Sequence, residues 1–123
     1  MAVYSFKRAS SLINLCVRAK LLVSGETRCE KALAKGEAKL VIISRDASDN
    51  TKKKFTNKAF YYGVPVVFFG GKQELGKLTG GGLVSSACVT DHNLSGLIAD
   101  ALGESAEPFY DRGGKSFVED SNI

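Results

Sequence analysis

Short apolar runs that alternate with helix-periodic segments are the feature that most constrains this fold. Residues 40–43, Leu-Val-Ile-Ile, form a continuous β-rich run, which is typical of a strand covered on both faces. Similar runs lie at residues 66–69 and 87–89, and a shorter one lies at residues 21–23. Strands that alternate with helices favour a sheet with helices on both faces. We therefore predict an α/β fold, a three-layer α/β/α sandwich with a small mixed central sheet.

Capping residues, glycines and apolar spacing mark the predicted helices. Asn93 is expected to cap the last helix. The third helix is expected to turn Phe55, Ala59 and Tyr62 toward the core. The predicted helices span about residues 5–19, 25–35, 49–62, 72–79 and 93–102.

Catalytic and metal-binding patterns are missing from the sequence. Cys16, Cys29 and Cys88 form no C-x-x-C pair, so we expect three buried thiols instead of a disulfide framework or a zinc site. The single histidine, His92, is interpreted as an exposed loop residue. Gly-Gly-Lys at residues 70–72 lacks the other residues of a phosphate loop and is interpreted as a turn. We predict no enzyme, no metal and no cofactor.

Hydropathy and charge favour a cytoplasmic protein without membrane contact. The sequence has no apolar run of the roughly 18 residues that a spanning helix needs. Residues 1–20 carry four Lys and Arg instead of the apolar core of a signal peptide. We expect a cytoplasmic monomer.

The net charge of +4 is unevenly distributed along the 123 residues. Residues 1–56 contain 12 Lys and Arg against five Asp and Glu, whereas residues 103–123 contain two against five. The first half therefore suggests a face offered to a polyanion. We predict one α/β/α domain over residues 1–102 and an acidic C-terminal extension over residues 103–123 that is at best partly ordered.

The second predicted helix has a pattern suited to phosphate. Gly25 precedes its first turn, where unpaired backbone N–H groups and the helix dipole favour an anion. Arg28, Lys31 and Lys35 recur at three- and four-residue steps and so share one face. A solvated amphipathic helix would have the same pattern, so the pattern alone leaves both interpretations open.

Four stretches carry a resemblance to a known family. The most specific is residues 39–54, KLVIISRDASDNTKKK, which is similar to K-L-V-L-x-x-D-A-S-x-N-T-K-K-K. Residues 18–25, RAKLLVSG, resemble R-A-G-K-L-V-S-G, and YYGVPV at residues 61–66 and ELG at residues 74–76 follow in the expected order. Over about residues 4–102 the chain thus resembles the kink-turn-binding ribosomal-protein family (the L-seven-Ae superfamily) and, within it, the small bacterial YlxQ-like proteins.

The resemblance implies a non-catalytic RNA-binding domain whose partner is a structured RNA, such as a kink-turn or a ribosomal RNA. In that family the start of the glycine-initiated helix approaches G·A pairs, and a loop before the last strand covers a flipped-out nucleotide. The first site falls on Gly25, Glu26, Thr27, Arg28 and Lys31, with Lys35 as a flanking phosphate contact. The second site falls on Leu83, Val84, Ser85 and Ser86.

One departure from the family pattern supports an alternative. Thr27 and Arg28 stand where the best-characterised branch has Asn and Glu, so phosphate contact is expected to outweigh base readout. With the acidic, aromatic-bearing extension, this change also suits a ribosome-assembly or protein-interaction adaptor that does not recognise kink-turns directly.

Overall fold

The computed structural model describes residues 5–103, so the predicted acidic extension, apart from Gly103, lies outside the described residues. The helices are α1 (Phe6–Arg18), α2 (Glu26–Ala34), α3 (Asp49–Tyr62), α4 (Lys72–Thr79) and α5 (His92–Ala101). The strands are β1 (Leu22–Ser24), β2 (Leu40–Ile43), β3 (Val66–Phe68) and β4 (Ser86–Val89).

The four strands form one mixed sheet in the order β1-β4-β2-β3. Strands β2 and β3 are parallel, whereas β4 runs antiparallel to both of its neighbours. With the helices on the two faces of this sheet, the predicted α/β/α sandwich with a small mixed sheet is confirmed.

Strand β2 divides the core into two layers because successive side chains point to opposite faces. Leu40 and Ile42 belong to the cluster that includes the buried residues of α1, α4 and α5. Val41 and Ile43 belong to the cluster that includes those of α2 and α3. All four side chains are fully buried, as a continuous apolar run predicts for a central strand.

Two details of the predicted helices are wrong. The N-cap of α5 is Asp91 instead of Asn93, because its carboxylate accepts a hydrogen bond from the Leu94 N–H at 2.9 Å. Tyr62 is 43% exposed, because it borders an open cleft at the end of α3 instead of the sheet. Phe55 and Ala59, predicted for the same face, are fully buried.

The direction of β4 decides which loops meet. The ends of β1 and β2 lie beside the start of β4, since Ser24 pairs with Ala87 and Ile43 pairs with Ser86. The end of β3 lies at the same edge, because Phe68 pairs with Ile43 on the other side of β2. The β1–α2 junction and the α4–β4 loop therefore share one edge of the sheet. The C-terminal ends of α2 and α3 and the start of α5 lie at the opposite edge.

Candidate nucleic-acid interface

Helix α2 begins at Gly25, whose backbone takes a conformation that suits only glycine well. Its φ of +97° lies in the region that residues with a side chain rarely adopt. The Gly25 N–H donates to the Ser86 carbonyl oxygen at 3.0 Å, which ties the start of α2 to the start of β4. The first-turn amides of an α-helix lack partners inside the helix. The start of α2 therefore offers backbone donors and the positive end of a helix dipole, a combination that attracts phosphate.

The α4–β4 loop lies beside this helix start and completes a cleft of about 340 Å³. Val84 is 6% exposed and anchors the loop in the core, whereas Leu83 is 67% exposed. The result is an apolar side chain held at the surface beside a set of backbone donors. The residues lining this cleft are Ser24, Gly25, Glu26, Gly81, Leu83, Val84, Ser85 and Ser86. We refer to this part of the molecule as the Gly25 edge.

Close backbone packing fixes the path of the loop. A Cβ at Gly76 would overlap the carbonyl oxygen of Gly82. The loop therefore packs so close to α4 that only glycine fits at position 76. The Val84 N–H also donates to the Lys72 carbonyl oxygen at 3.1 Å. Leu83 lies between these two attachments, and its backbone position is therefore well defined.

An ion-pair network joins α2 to α3 next to the cleft. Lys54 Nζ lies 3.1 Å from Glu26 Oε1 and 2.9 Å from Glu30 Oε2, and the Thr51 hydroxyl donates to Glu26 Oε2 at 3.2 Å. The hydrogen bond with Lys54 lowers the pKa of Glu30, and the bonds with Glu30 and Glu26 raise the pKa of Lys54. Lys54 thus offsets one of the two negative charges of Glu26 and Glu30, which reduces their repulsion of an incoming phosphate.

None of the predicted cations of α2 lines the cleft of the Gly25 edge. Thr27, Arg28 and Lys31 are exposed farther along the helix, on the side of α2 that faces away from the core. Lys35 is the C-cap of the helix, about 15 Å from Gly25 by the helical rise. It lines a different cleft at the opposite edge of the sheet.

Sequence reasoning missed the role of Lys54 and Thr51. Residues 52–54 form a lysine run that is compatible with plain solvated surface. The partner, Glu26, lies 25 residues before Thr51 and 28 before Lys54, so no local pattern links them. Only the packing of α3 against α2 reveals the pairing.

The three thiols are buried, as predicted. Burial is the main cause that raises the pKa of Cys16 to about 11. The neighbouring Cys29 and burial together raise the pKa of Cys88. Both groups are therefore neutral thiols near pH 7, which suits core residues.

Residues 5–103 contain neither a candidate metal-ligand cluster nor a membrane-spanning helix. No group of three or more His, Cys, Asp or Glu side chains in this range is placed to hold a metal ion. None of the helices in this range combines the length and the apolar character needed to cross a bilayer.

The fold defines the class of this protein: it is an α/β/α sandwich in which a glycine-initiated helix and the α4–β4 loop meet at one edge of the sheet. The model of the Ribosomal protein L7Ae/L30e/S12e/Gadd45 family matches residues 7–97. The chain belongs to this family.

Within the family, the chain belongs to the YlxQ-like branch. It is 36% identical to the RNA-binding protein YlxQ of Bacillus subtilis over 91 residues, which are 74% of this chain and 91% of that protein. It is also 36% identical to the RNA-binding protein YlxQ of Enterococcus faecium over 74 residues, 60% of this chain and 72% of the relative.

Solved structures share the fold. A protein with unknown function from Bacillus halodurans is 36% identical with a TM-score of 0.75, and the match covers 81% of this chain and all of that one. A 15.5-kD RNA-binding protein of Giardia lamblia is 24% identical with a TM-score of 0.65, over 81% of this chain and 89% of the other. The second likeness bears on the fold alone.

Proposed function

We propose that this protein is a non-catalytic RNA-binding protein that recognises a structured RNA through the Gly25 edge. One observation carries the proposal: the start of α2 and the exposed Leu83 of the α4–β4 loop line the same cleft, and Arg28 and Lys31 are exposed farther along α2. RNA is a polyanion with bases that can leave the helix stack. A site that combines phosphate donors with an apolar surface matches both properties.

Each part of the edge has a distinct role in this proposal. The first-turn amides of α2 contact phosphate, and Arg28 and Lys31 contact phosphates and base edges in the groove. Leu83 covers a nucleotide that has left the stack, and Val84, Ser85 and Ser86 hold the loop in place. Lys35 is a phosphate contact farther along the RNA.

The relatives named above support this proposal, because both YlxQ proteins are named as RNA-binding. The Arg28 side chain adds a cation at a position where the best-characterised branch of the family has Glu. We therefore propose that phosphate contact contributes a larger share of the affinity here than base readout does. A kink-turn in ribosomal or other cytoplasmic RNA is the proposed target, bound by a monomer.

The decisive experiment compares a kink-turn RNA with a straight duplex of the same base composition across a salt titration. Preference for the bent RNA at every salt concentration supports recognition of structure. Equal and weak binding to both would contradict it. A steep salt dependence without preference would reduce the function to polyanion binding.

A ribosome-assembly or protein-interaction adaptor is the second candidate function. The changed pair Thr27 and Arg28 favours it, because the base-reading residues of the best-characterised branch are absent from the exposed start of α2. Copurified proteins that remain bound after nuclease treatment would support the adaptor. Their loss with the RNA would support direct RNA binding.

A further inference from the structure

A second and larger cleft lies at the edge of the sheet opposite the Gly25 edge. Its volume is about 520 Å³, and it opens between the end of α2, the end of α3 and the start of α5. This is within the usual size range of small-molecule sites, about 300 to 1,000 Å³. We refer to it as the Tyr62 cleft. The lining residues that matter here are Lys35, Lys39, Tyr62, Pro65, His92 and Ser95.

The charged side chains that line the Tyr62 cleft, Lys35 and Lys39, are both positive. Lys35 and Lys39 are exposed in its lining, and His92 is exposed at the start of α5. No Asp or Glu belongs to the lining found among residues 5–103. Lys39 Nζ donates to the carbonyl oxygen of Gly36, another residue of the lining, at 3.4 Å. The cleft therefore favours an anionic ligand.

The remaining wall is aromatic and apolar. Tyr62 is 43% exposed, and the ring of Tyr61 meets it edge-on with the centroids 4.9 Å apart. Val64 and Pro65 continue the apolar surface below it. A large aromatic ring that is held in place yet open to solvent is a stacking surface for another flat ring.

The first turn of α5 adds an unpaired polar group. Ser95 lies in the lining and is only 3% exposed, and its hydroxyl has no hydrogen-bond partner within the described residues. A buried hydroxyl without a partner is costly, so structures rarely leave one without a reason.

From these observations we propose that the Tyr62 cleft binds one nucleoside phosphate unit. The phosphate lies between Lys35 and Lys39, and the base stacks on Tyr62. The same chemistry is offered by a free mononucleotide and by a nucleotide of a single RNA strand. An acidic peptide would satisfy the lysines but would leave the aromatic wall without a flat partner. The two clefts share no lining residue, although Lys35 is also the flanking phosphate contact of the RNA interface proposed above.

The backbone amides of glycines in the two clefts report ligand binding at each cleft separately. Gly36, Gly63 and Gly96 line the Tyr62 cleft, whereas Gly25 and Gly81 line the other one. The full-length, ¹⁵N-labelled protein is titrated separately with uridine 5′-monophosphate, with a six-nucleotide uridine RNA and with hexaglutamate. The expected result is that the first three glycines shift with the nucleotide and with the RNA.

The comparison of ligands separates the possibilities. Equal affinities per site identify a free-nucleotide site, and an affinity for the RNA that is about tenfold higher or more identifies a strand-binding site; either supports the proposal. Hexaglutamate that binds the same glycines as well as the RNA does would overturn it. Shifts confined to Gly25 and Gly81 would overturn it too, while leaving RNA binding at the Gly25 edge intact. No shift at any glycine would also overturn it.

Side-chain variants locate the contacts. Tyr62→Ala is expected to weaken nucleotide binding about fivefold or more, and Tyr62→Phe is expected to retain it because the ring remains. The double variant Lys35→Ala/Lys39→Ala, which alters only exposed side chains, is expected to reduce binding similarly. Lys77→Ala removes an exposed charge on α4 and serves as the control. Equal binding by the double variant and the control would contradict the proposed phosphate position.

Discussion

The two ends of helix α2 present different chemistry to the solvent. At the Gly25 edge the polar groups are backbone amides, and a loop held by glycine packing presents Leu83. At the Tyr62 cleft the polar groups are lysine side chains, and the apolar surface is an aromatic ring on a helix. Backbone donors at a fixed position suit recognition of shape, whereas flexible lysines beside an aromatic ring suit a single flexible nucleotide. Of the basic stripe on α2, only Lys35 lines one of the two clefts.

The largest expected effect comes from Gly76→Ala, which should damage the Gly25 edge alone. The added methyl group collides with the Gly82 backbone, so the α4–β4 loop must move. We expect a loss of about 3 kcal/mol in the free energy of unfolding, measured in urea, together with loss of RNA binding.

The matched control for Gly76→Ala is Gly96→Ala in α5, at the other cleft. A Cβ there meets nothing within 4 Å, and the position is inside a helix. It should be neutral or should stabilise the protein by about 0.5 to 1 kcal/mol. Equal destabilisation by the two substitutions would refute the close-packing argument.

Lys31→Ala and Lys35→Ala test whether the two ends of α2 act separately. Lys31 lies nearer than Lys35 to the start of α2, about 9 Å from Gly25 by the helical rise, so its removal should weaken binding of the bent RNA by about 1 to 3 kcal/mol. Lys35→Ala should cost less than about 1 kcal/mol and should affect bent and straight RNA equally, as a distant phosphate contact does. Equal losses of bent-RNA affinity in the two variants would show that Lys31 and Lys35 belong to one binding surface.

Lys54→Ala tests the charge compensation at the Gly25 edge. Without Lys54, Glu26 and Glu30 repel phosphate, and RNA binding should weaken roughly fivefold, measured at low salt. Lys53→Ala, a change at the neighbouring exposed lysine, is the control for general loss of charge. If both variants bind RNA equally, the ion-pair network has no role in binding.

The same network predicts a pH dependence of stability. The hydrogen bond with Lys54 lowers the pKa of Glu30 below its ordinary value of 4.5. The pairing therefore stabilises the folded state above pH 4.5, and this stabilisation is lost as the pH falls through the lowered pKa of Glu30. The difference in unfolding free energy between the wild type and Lys54→Ala should therefore shrink below about pH 4.5. A difference that is constant over this range would contradict the pairing.

Leu83→Ala should have the smallest effect on the fold. The side chain is 67% exposed, so its truncation should change the unfolding free energy by less than about 0.5 kcal/mol. Bent-RNA affinity should nevertheless fall by about 1 kcal/mol, because the apolar cover over a nucleotide is reduced. Leu97→Ala, at a 40% exposed position on α5, should leave RNA affinity unchanged. Calorimetry and a binding titration on both variants check the contrast.

Local patterns predicted most of the secondary structure. The four-residue run at β2 and the helix at residues 72–79 have the predicted limits, because burial on both faces and glycine boundaries leave a clear local pattern. Asn93 is a plausible cap by residue type, but the N-cap is Asp91, two residues earlier. Capping residues are common in loops, so pattern alone does not choose among neighbours.

The candidate site was predictable only in part. The resemblance assigned Gly25 and residues 83–86 to two RNA-contacting sites, and the structure places both in one cleft. The separation of Lys35 from that cleft follows from the length of α2. The Tyr62 cleft, in contrast, is formed by three helix ends that are distant in the sequence. The sequence offered no sign that Tyr62 borders such an opening.

The amino-acid sequence by itself determined the order of helices and strands, the buried faces and the phosphate-suited start of α2, since these depend on neighbours within a few residues. Tertiary structure decided that β4 lies between β1 and β2, and this position brings Leu83 beside Gly25. It also decided that Lys54 compensates Glu26 and that two clefts lie at opposite edges. The physical reason is that these contacts join residues far apart in the chain, and their partners are selected by packing of the whole sheet and its helices.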